Sequence, residues 1–450
     1  MRNDLTQGNI YKRMIAFTIP ILLSNLLQQL YSIADHTIVG RLLGKEALAA
    51  VGASFQISNI ILAVAMGLTL GMGILISNAY GAKKMDRIQK IVDTGMVMCM
   101  ILSVLITILG VGCAGTILGC FQVPDAILQQ ATLYFAIICS GTIPSFGYNA
   151  IVNYLRGVGD SKTPLLFLII SSILNIVLDV LFISVVGAGV AGAAAATVIS
   201  QIVAFIGICD YVNRRKSLFQ IRLLHVSANM DILKEGLLIG IPATLQQLFI
   251  GIGNSVIQYM INGYGASVIA AYTAASKMDG LSTLPAVNIG KAMSNVIAQN
   301  RGANREDRVK EGAKAGIVMT VMISIGFSVL IYTMSDRLLG IFCTDTEVRI
   351  QGVQYLRTVS IFYLIFGVMQ CLNGILLGLN KSNLSLVSSV ASFCLFQVPL
   401  AVILSRYIGI MGIWISAPFG WIAGMILRMI FLYRTNPKKA ASQSQSLQKA

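Results

Sequence analysis

Charged residues are scarce in this sequence. Asp, Glu, Lys and Arg make up only 11% of its 450 residues, whereas 56% are hydrophobic. Soluble domains carry about 25% charged residues. The composition therefore excludes a cytosolic enzyme, which needs a charged surface, and a disordered chain, which buries little apolar surface. It predicts an all-α polytopic membrane protein. Because a helical span needs ~20 apolar residues, the length allows about a dozen spans.

Motifs for binding metals and nucleotides are also absent. The chain has only two histidines, and its eight cysteines form neither a CxxC pair nor a cluster with histidine. This excludes a zinc site and a disulfide framework. No GxxxxGK(S/T) sequence occurs, so a P-loop ATPase is excluded. We therefore expect no bound cofactor.

The few charges are unevenly distributed along the chain. Lys and Arg outnumber Asp and Glu by 33 to 18, which gives a formal net charge of +15. With twelve spans and both termini inside, most Lys and Arg residues fall in the inner segments, including those from Arg428 onward. This pattern predicts a plasma-membrane protein with cytoplasmic termini. The basic charge is explained by topology and does not indicate a nucleic-acid partner.

The chain repeats itself at an offset of about 221 residues. Residues 81–87 (GAKKMDR) resemble residues 302–308 (GANREDR), and residues 44–50 resemble residues 265–271. Six spans return the chain to its starting side, so we predict two six-helix lobes related by a pseudo-twofold axis along the membrane normal. The predicted domains are an N-lobe (1–212), a cytoplasmic linker (213–229), a C-lobe (230–435) and a disordered tail (436–450).

Three acidic residues lie well inside the predicted spans: Asp35, Asp179 and Asp279. A charged side chain at the bilayer centre costs at least ~2.5–3.5 kcal/mol. The counterparts of Asp35 and Asp179 in the second half are Ile257 and Leu400. The repeated scaffold does not need either carboxylate, which favours a functional role for both.

Polar side chains accompany these two aspartates. They are Gln28 and Ser32 on the span of Asp35, Asn175 on that of Asp179, and Asn149, Asn153 and Thr197 on two other spans. Taken singly, each amide or hydroxyl is better explained by hydrogen bonds between helices. As a group, these hard oxygen ligands suit a proton or Na⁺. Binding either cation relieves the repulsion between two close carboxylates, so we predict a cation site with two occupancy states.

The eighth span carries a second set of ionisable residues, Lys277 and Asp279. Residues two positions apart do not face each other on a helix. Two interpretations remain open: a cavity wall that senses substrate or proton, or a structural ion pair with other helices.

One motif suggests proteolysis. Gly157-Val158-Gly159-Asp160 matches the GxGD pattern of intramembrane aspartyl proteases. The neighbouring Arg156, Lys162 and Pro164 place it in a short cytoplasmic loop, so we interpret it as a turn. An aspartyl hydrolase that uses Asp35 and Asp179 remains an alternative, although the motifs that flank the aspartates of such enzymes are missing from the sequence.

The sequence resembles the multidrug and toxic compound extrusion (MATE) family over nearly its whole length. The motifs are Pro20 with Gln28-Gln29, Asp35 followed by Gly40 and Gly44, residues 78–81 (NAYG) and residues 155–160 (LRGVGD). The resemblance is to the DinF-like branch. It implies a cation site made by Asp35, Asn153, Asn175, Asp179 and Thr197. The NorM-like branch has acids in the seventh and tenth spans, where this chain has none beyond Glu235.

The resemblance implies a secondary active multidrug exporter and not an enzyme. The implied substrates are amphiphilic, mostly cationic organic compounds, exchanged for H⁺ or Na⁺ by rocker-type alternating access. Sodium coupling would make Asp35, Asn175, Asp179 and Thr197 the Na⁺ ligands. We expect a monomer in the bilayer, with a substrate cavity lined by Gln28, Ser32, Asn149, Lys277 and Asp279. The alternative is a flippase of lipid-linked oligosaccharide, which the cations Lys277 and Lys291 support only weakly.

Overall fold

A computed structural model describes residues 4–215, 218–222, 227–340 and 345–434. The predicted tail lies outside these ranges, as do parts of the predicted linker. Within them, the regular secondary structure is entirely helical. The helices of the first half are α1 (Ile10–Leu43), α2 (Lys45–Gly81), α3 (Met85–Gly112), α4 (Ala114–Cys120), α5 (Asp125–Ser140), α6 (Thr142–Gly157), α7 (Lys162–Val180) and α8 (Gly189–Arg214). Those of the second half are α9 (Met230–Asn262), α10 (Ala266–Gly302), α11 (Glu306–Gly340), α12 (Thr346–Ser360), α13 (Tyr363–Gly378), α14 (Ser382–Ala391), α15 (Val398–Ile408) and α16 (Ile410–Arg434).

The helices are long and apolar enough to confirm a polytopic membrane protein. In the described ranges, nine spans qualify by length and composition, or up to eleven when each bent helix pair counts as one. Helix α10 supplies the twelfth span of the predicted layout. It has 37 residues, but Lys277, Asp279 and Lys291 make it more polar than the other spans.

Two spans are broken, a feature that the hydrophobic pattern did not predict. Helices α5 and α6 meet at 50°, and α12 and α13 meet at 54°. At the first break, Gly141 precedes α6, and Pro144 in the first turn of α6 lacks an amide hydrogen. The break recurs at the same place in both halves, so it belongs to the repeated unit.

Turn geometry also follows the repeat. Gly44 and Gly265 have φ angles of 85° and 93°, and Lys83 and Asn304 have φ angles of 58° and 55°. These positive angles favour glycine and asparagine, whereas lysine is strained there. The turn between α2 and α3 thus forces Lys83 into the left-handed backbone conformation.

The described chain packs as two compact units. The first comprises Ile15–Thr244, the N-terminal residues up to Gly8, and Gln299–Asn304; the second comprises Asn9–Met14, Leu245–Ala298 and the chain from Arg305 onward. The division falls inside α9. The reason is that the start of α9 packs closely on α2.

Glycines make the close packing within the first unit. A Cβ on Gly71 of α2 would overlap the backbone of Gly236 and Gly240 on α9. At the other end of α2, a Cβ on Gly81 would overlap the carbonyl oxygen of Gln299, near the end of α10. Gln299 is fully buried there, and its Nε2 donates to Gly157 O at 2.7 Å.

Candidate cation site

The two aspartates lie on helices α1 and α7. Asp35 is 6% exposed and Asp179 is fully buried. Their carboxyl groups lie within hydrogen-bonding reach of each other. Two carboxyl groups can share a hydrogen bond only if one of them carries a proton. The arrangement is therefore suited to holding a single positive charge between two helices.

Helix α7 directs its polar residues inward although most of its surface is apolar and exposed. Only 17% of the apolar window of the span Lys162–Val185 is buried. In its last two turns, the buried residues are Asn175 and Asp179. They lie four positions apart and therefore on one face of the helix. A π-helical turn, Leu181–Val185, follows directly, and such turns are frequent at functional sites.

Asn175 links Asp179 to helix α8. In the amide orientation that satisfies both ends of the side chain, Asn175 Nδ2 donates to Asp179 Oδ2 at 3.1 Å. Its Oδ1 then accepts from the Thr197 backbone N–H at 3.2 Å. The hydroxyl of Thr197 donates to Ala193 O at 3.2 Å, which leaves its oxygen able to accept or to coordinate. The predicted residues Asp35, Asn175, Asp179 and Thr197 thus come together from three helices.

Two tyrosines that were not predicted from the sequence complete the site. Tyr31 lies one turn before Asp35, and its hydroxyl is within hydrogen-bonding reach of the Thr197 side chain. Tyr134 of α5 is 5% exposed and lies close to Asp35, Asp179 and Tyr31. The four-residue spacing to Asp35 was a signal for Tyr31. No local pattern indicates that Tyr134, on a distant part of the chain, meets the same site.

One ring nitrogen of His36 lies near the pair. His36 Nδ1 is 2.7 Å from Ser32 O and 3.8 Å from Asp35 Oδ2. The carbonyl acceptor requires that Nδ1 carry the hydrogen. Around the site, Val39, Ile183 and Val190 belong to one buried apolar cluster, which separates the polar groups from water.

Two buried oxygens of the pair have no hydrogen-bond donor. They are Oδ1 of Asp35 and Oδ1 of Asp179, which find no partner among the described residues. Neither aspartate forms an ion pair with a described Lys or Arg. Unsatisfied buried acceptors are costly, and a proton or a small cation would satisfy them. Nor do the described ranges hold a cluster of three or more His, Cys, Asp or Glu, the donors that transition metals prefer.

Asn153 is placed away from this group. Its Nδ2 donates to Thr69 Oγ1 on α2 at 2.8 Å. Asn153 lies about 6 Å from the end of α6, whereas Asp179 lies roughly 25 Å from the start of α7, at 1.5 Å per residue. The two helices are joined at those ends by a four-residue turn. The structure therefore separates Asn153 from Asp179 by roughly 20 Å along the helix axes.

The residues predicted to line a substrate cavity differ in their exposure. Gln28 and Lys277 are exposed, and Ser32, Asn149 and Asp279 are half-buried. Asn149 Nδ2 donates to Ser145 O of its own helix at 2.8 Å. Neither Lys277 nor Asp279 forms an ion pair with a residue of the described ranges. The Asp279 carboxyl group instead lies beside Tyr363 of α13.

The fold and the buried acidic pair define a multi-pass helical membrane transporter. The chain belongs to the MatE family, because the family profile matches residues 20–181 and again residues 242–403, one copy in each half. This double match confirms the internal repeat.

Curated relatives and solved structures agree with this membership. The chain is similar to two Bacillus subtilis proteins, each called a probable multidrug resistance protein. YoeA is 30% identical over 94% of this chain and 93% of its own length. YpnP is 33% identical over 91% of this chain and 92% of its own length. A solved structure described as a multidrug resistance MATE family transporter in an outward-facing conformation aligns with a TM-score of 0.88 and 25% identity, covering 99% of this chain and 98% of that one. A MATE structure in a bent conformation aligns with a TM-score of 0.89 and 26% identity, and 98% of each chain is covered.

Proposed function

We propose that this protein is a secondary active multidrug exporter of the plasma membrane, with cytoplasmic termini, that acts as a monomer. It exchanges amphiphilic, mostly cationic organic compounds for H⁺ or Na⁺. The observation that carries the proposal is the meeting of Asp35 and Asp179, two buried carboxyl groups from separate helices that form no ion pair with a Lys or Arg of the described ranges. The multidrug resistance relatives support efflux over the oligosaccharide flippase alternative.

The site provides a physical basis for coupling. With no cation bound, the two carboxylates repel each other. This repulsion disfavours the arrangement of α1 and α7 in which they meet. A bound cation removes that repulsion and stabilises the arrangement. If substrate favours the other arrangement, binding of cation and of substrate in turn drives alternating access. Each ligand shifts the conformational equilibrium by the difference between its affinities for the two arrangements. Each cation that moves inward gains ~2.3 kcal/mol per 100 mV.

The side chains suggest how the two candidate cations would be held. A proton would be shared between the carboxyl groups of Asp35 and Asp179. Sodium would take oxygens from Asp35, Asn175, Asp179 and Thr197, the hard ligands that it prefers. The Tyr31 hydroxyl is placed to orient Thr197 in both cases.

The test is ethidium transport in everted membrane vesicles, with Na⁺ and pH gradients imposed separately. We expect one of the two gradients to drive ethidium uptake and its collapse by an ionophore to stop it. Uptake that continues with both gradients collapsed, or that requires ATP, would contradict ion-coupled exchange.

A matched pair of amide substitutions tests which asparagine belongs to the cation site. We expect Asn175→Ala to raise the half-saturating concentration of the coupling cation about tenfold or more, because it removes a hydrogen bond to a carboxylate that is worth about 1.5–3 kcal/mol. Asn153→Ala should change it less than about twofold, because Asn153 bonds Thr69 instead. The measurement is the initial rate of ethidium uptake against cation concentration. An equal effect of both substitutions would return Asn153 to the site.

A further inference from the structure

An arginine is buried in the second compact unit. Arg428 of α16 is 2% exposed. Its position in the sequence groups it with the basic residues of the inner segments, but the structure places its side chain inside the protein. Its Nη2 donates to Ser389 Oγ at 2.7 Å and its Nη1 to Gly424 O at 3.3 Å. Its Nε has no acceptor, and no carboxylate of the described ranges forms an ion pair with it.

The guanidinium group joins a network of amides and hydroxyls. Gln246 Nε2 donates to Ser389 Oγ at 2.7 Å and to Asn373 Oδ1 at 3.2 Å. Ser385 Oγ donates to Gln246 Oε1 at 3.1 Å. The network thus connects α9, α13, α14 and α16.

The buried guanidinium group leaves one donor of this network unsatisfied. Ser389 Oγ already accepts from Arg428 and from Gln246. Arg428 Nε is a buried donor that has no acceptor within the described part of the chain. A buried positive charge with an unsatisfied N–H donor is the opposite of the acidic pair in the first unit. It suits an anion.

The repeat shows that the fold does not need this charge. When the paired glycines Gly192 and Gly412 are aligned, Arg428 corresponds to Ile208, which is fully buried. At the offset of 221 residues that holds for the helices before α16, Ser389 corresponds to Leu168 and Asn373 to Val152. The first half fills the same positions with apolar side chains. An unpaired buried charge costs several kcal/mol, so its presence in one half only points to a ligand.

We propose that Arg428, Ser389 and Asn373 form a binding site for a small monovalent anion of the chloride class, within the second unit. Such an ion fits because it neutralises the guanidinium group and accepts several hydrogen bonds at once. A lipid phosphate does not fit, since the 2% exposure of Arg428 leaves no access for a headgroup. An occupied site joins the four helices of the network more firmly.

The test uses the purified full-length chain in nanodiscs. Thermal unfolding is followed while chloride replaces gluconate at constant ionic strength. We expect a saturable rise of the unfolding temperature, because a ligand that binds only the folded state stabilises it in proportion to RT ln(1 + [L]/Kd). Bromide should act similarly and should give an anomalous scattering peak beside Arg428 in crystals.

Two substitutions and one control make the test specific. Arg428→Met should abolish the chloride response without lowering the unfolding temperature in gluconate, because a buried charge is replaced by an apolar chain. Ser389→Ala keeps the charge and should raise the half-saturating chloride concentration several-fold. This second variant tests the proposal even if Arg428→Met does not fold. The control is Arg357→Met, an exposed arginine of α12 that stacks on Tyr332; it should respond like the unchanged protein. The proposal is overturned if the unchanged protein shows no saturable response, or if Arg428→Met and Ser389→Ala respond as it does.

Discussion

Asp35→Asn and Asp179→Asn are each expected to reduce gradient-driven ethidium efflux at least about tenfold, which corresponds to a loss of ~1.4 kcal/mol or more of coupling free energy. Asparagine keeps the size of the side chain but cannot hold a proton or carry a negative charge. A site with one carboxylate gains less by binding a cation, because no repulsion between two carboxylates is relieved, so the transported ion shifts the conformational equilibrium less. The measurement is ethidium efflux from whole cells, with the amount of protein in the membrane quantified.

Stability separates this effect from misfolding. Each substitution removes one member of a buried acidic pair, so the unfolding temperature should stay the same or rise. The matched control is Asp93→Asn on α3. Asp93 is also buried, at 8% exposure, but it accepts from Gln89 Nε2 at 2.8 Å, and an asparagine oxygen can accept in the same way. Efflux should persist in this control. Full efflux in both Asp35→Asn and Asp179→Asn would remove the pair from the mechanism.

The parts of the site that could be predicted are those that a single helix reveals. Asn175 and Asp179 share one face of an otherwise apolar helix, and the repeat shows that their counterparts are apolar. These patterns depend on periodicity and composition, which are local properties. They required no knowledge of which helices meet.

The parts that could not be predicted depend on packing between distant segments. Tyr134 reaches the acidic pair only because α5 lies against it, and nothing in its neighbourhood in the sequence indicates this. Asn153 lies on a polar helix face that points to Thr69 instead. Arg428 lies six residues before the end of its span. Hydropathy alone does not distinguish a side chain that reaches the surface from one that turns inward.

The helix breaks were hidden for a related reason. The runs 127–155 and 352–377 are each continuous in hydropathy, so hydropathy alone predicts one helix for each run. A bend of 50° or 54° changes the direction of the backbone without changing the apolar character of its surroundings. The break between α12 and α13 has no proline or glycine at it to mark it.

The close contact between the ends of α2 and α10 leads to the second large effect. Gly81→Ala and Gly302→Ala should each lower the free energy of unfolding by about 1–3 kcal/mol, as overpacking does. A Cβ at Gly81 would overlap Gln299 O, and one at Gly302 would overlap Asn78 O. Both obstacles are backbone atoms in helices, so they cannot move aside as a flexible side chain would. The helix ends must separate instead, which also strains the hydrogen bond from Gln299 to Gly157.

The same two helices provide controls. Gly52 lies on α2 and Gly280 on α10, and a Cβ at either position would meet no atom within 4 Å. Alanine there should leave stability unchanged or raise it by up to about 1 kcal/mol, since alanine is the better helix former. Chemical unfolding of the four purified variants separates the effect of steric overlap from the effect of helix propensity within the same two helices. If Gly81→Ala and Gly302→Ala matched the two controls, the ends of α2 and α10 would have to be loosely packed, and the boundary that places Gln299–Asn304 in the first unit would lose its physical basis.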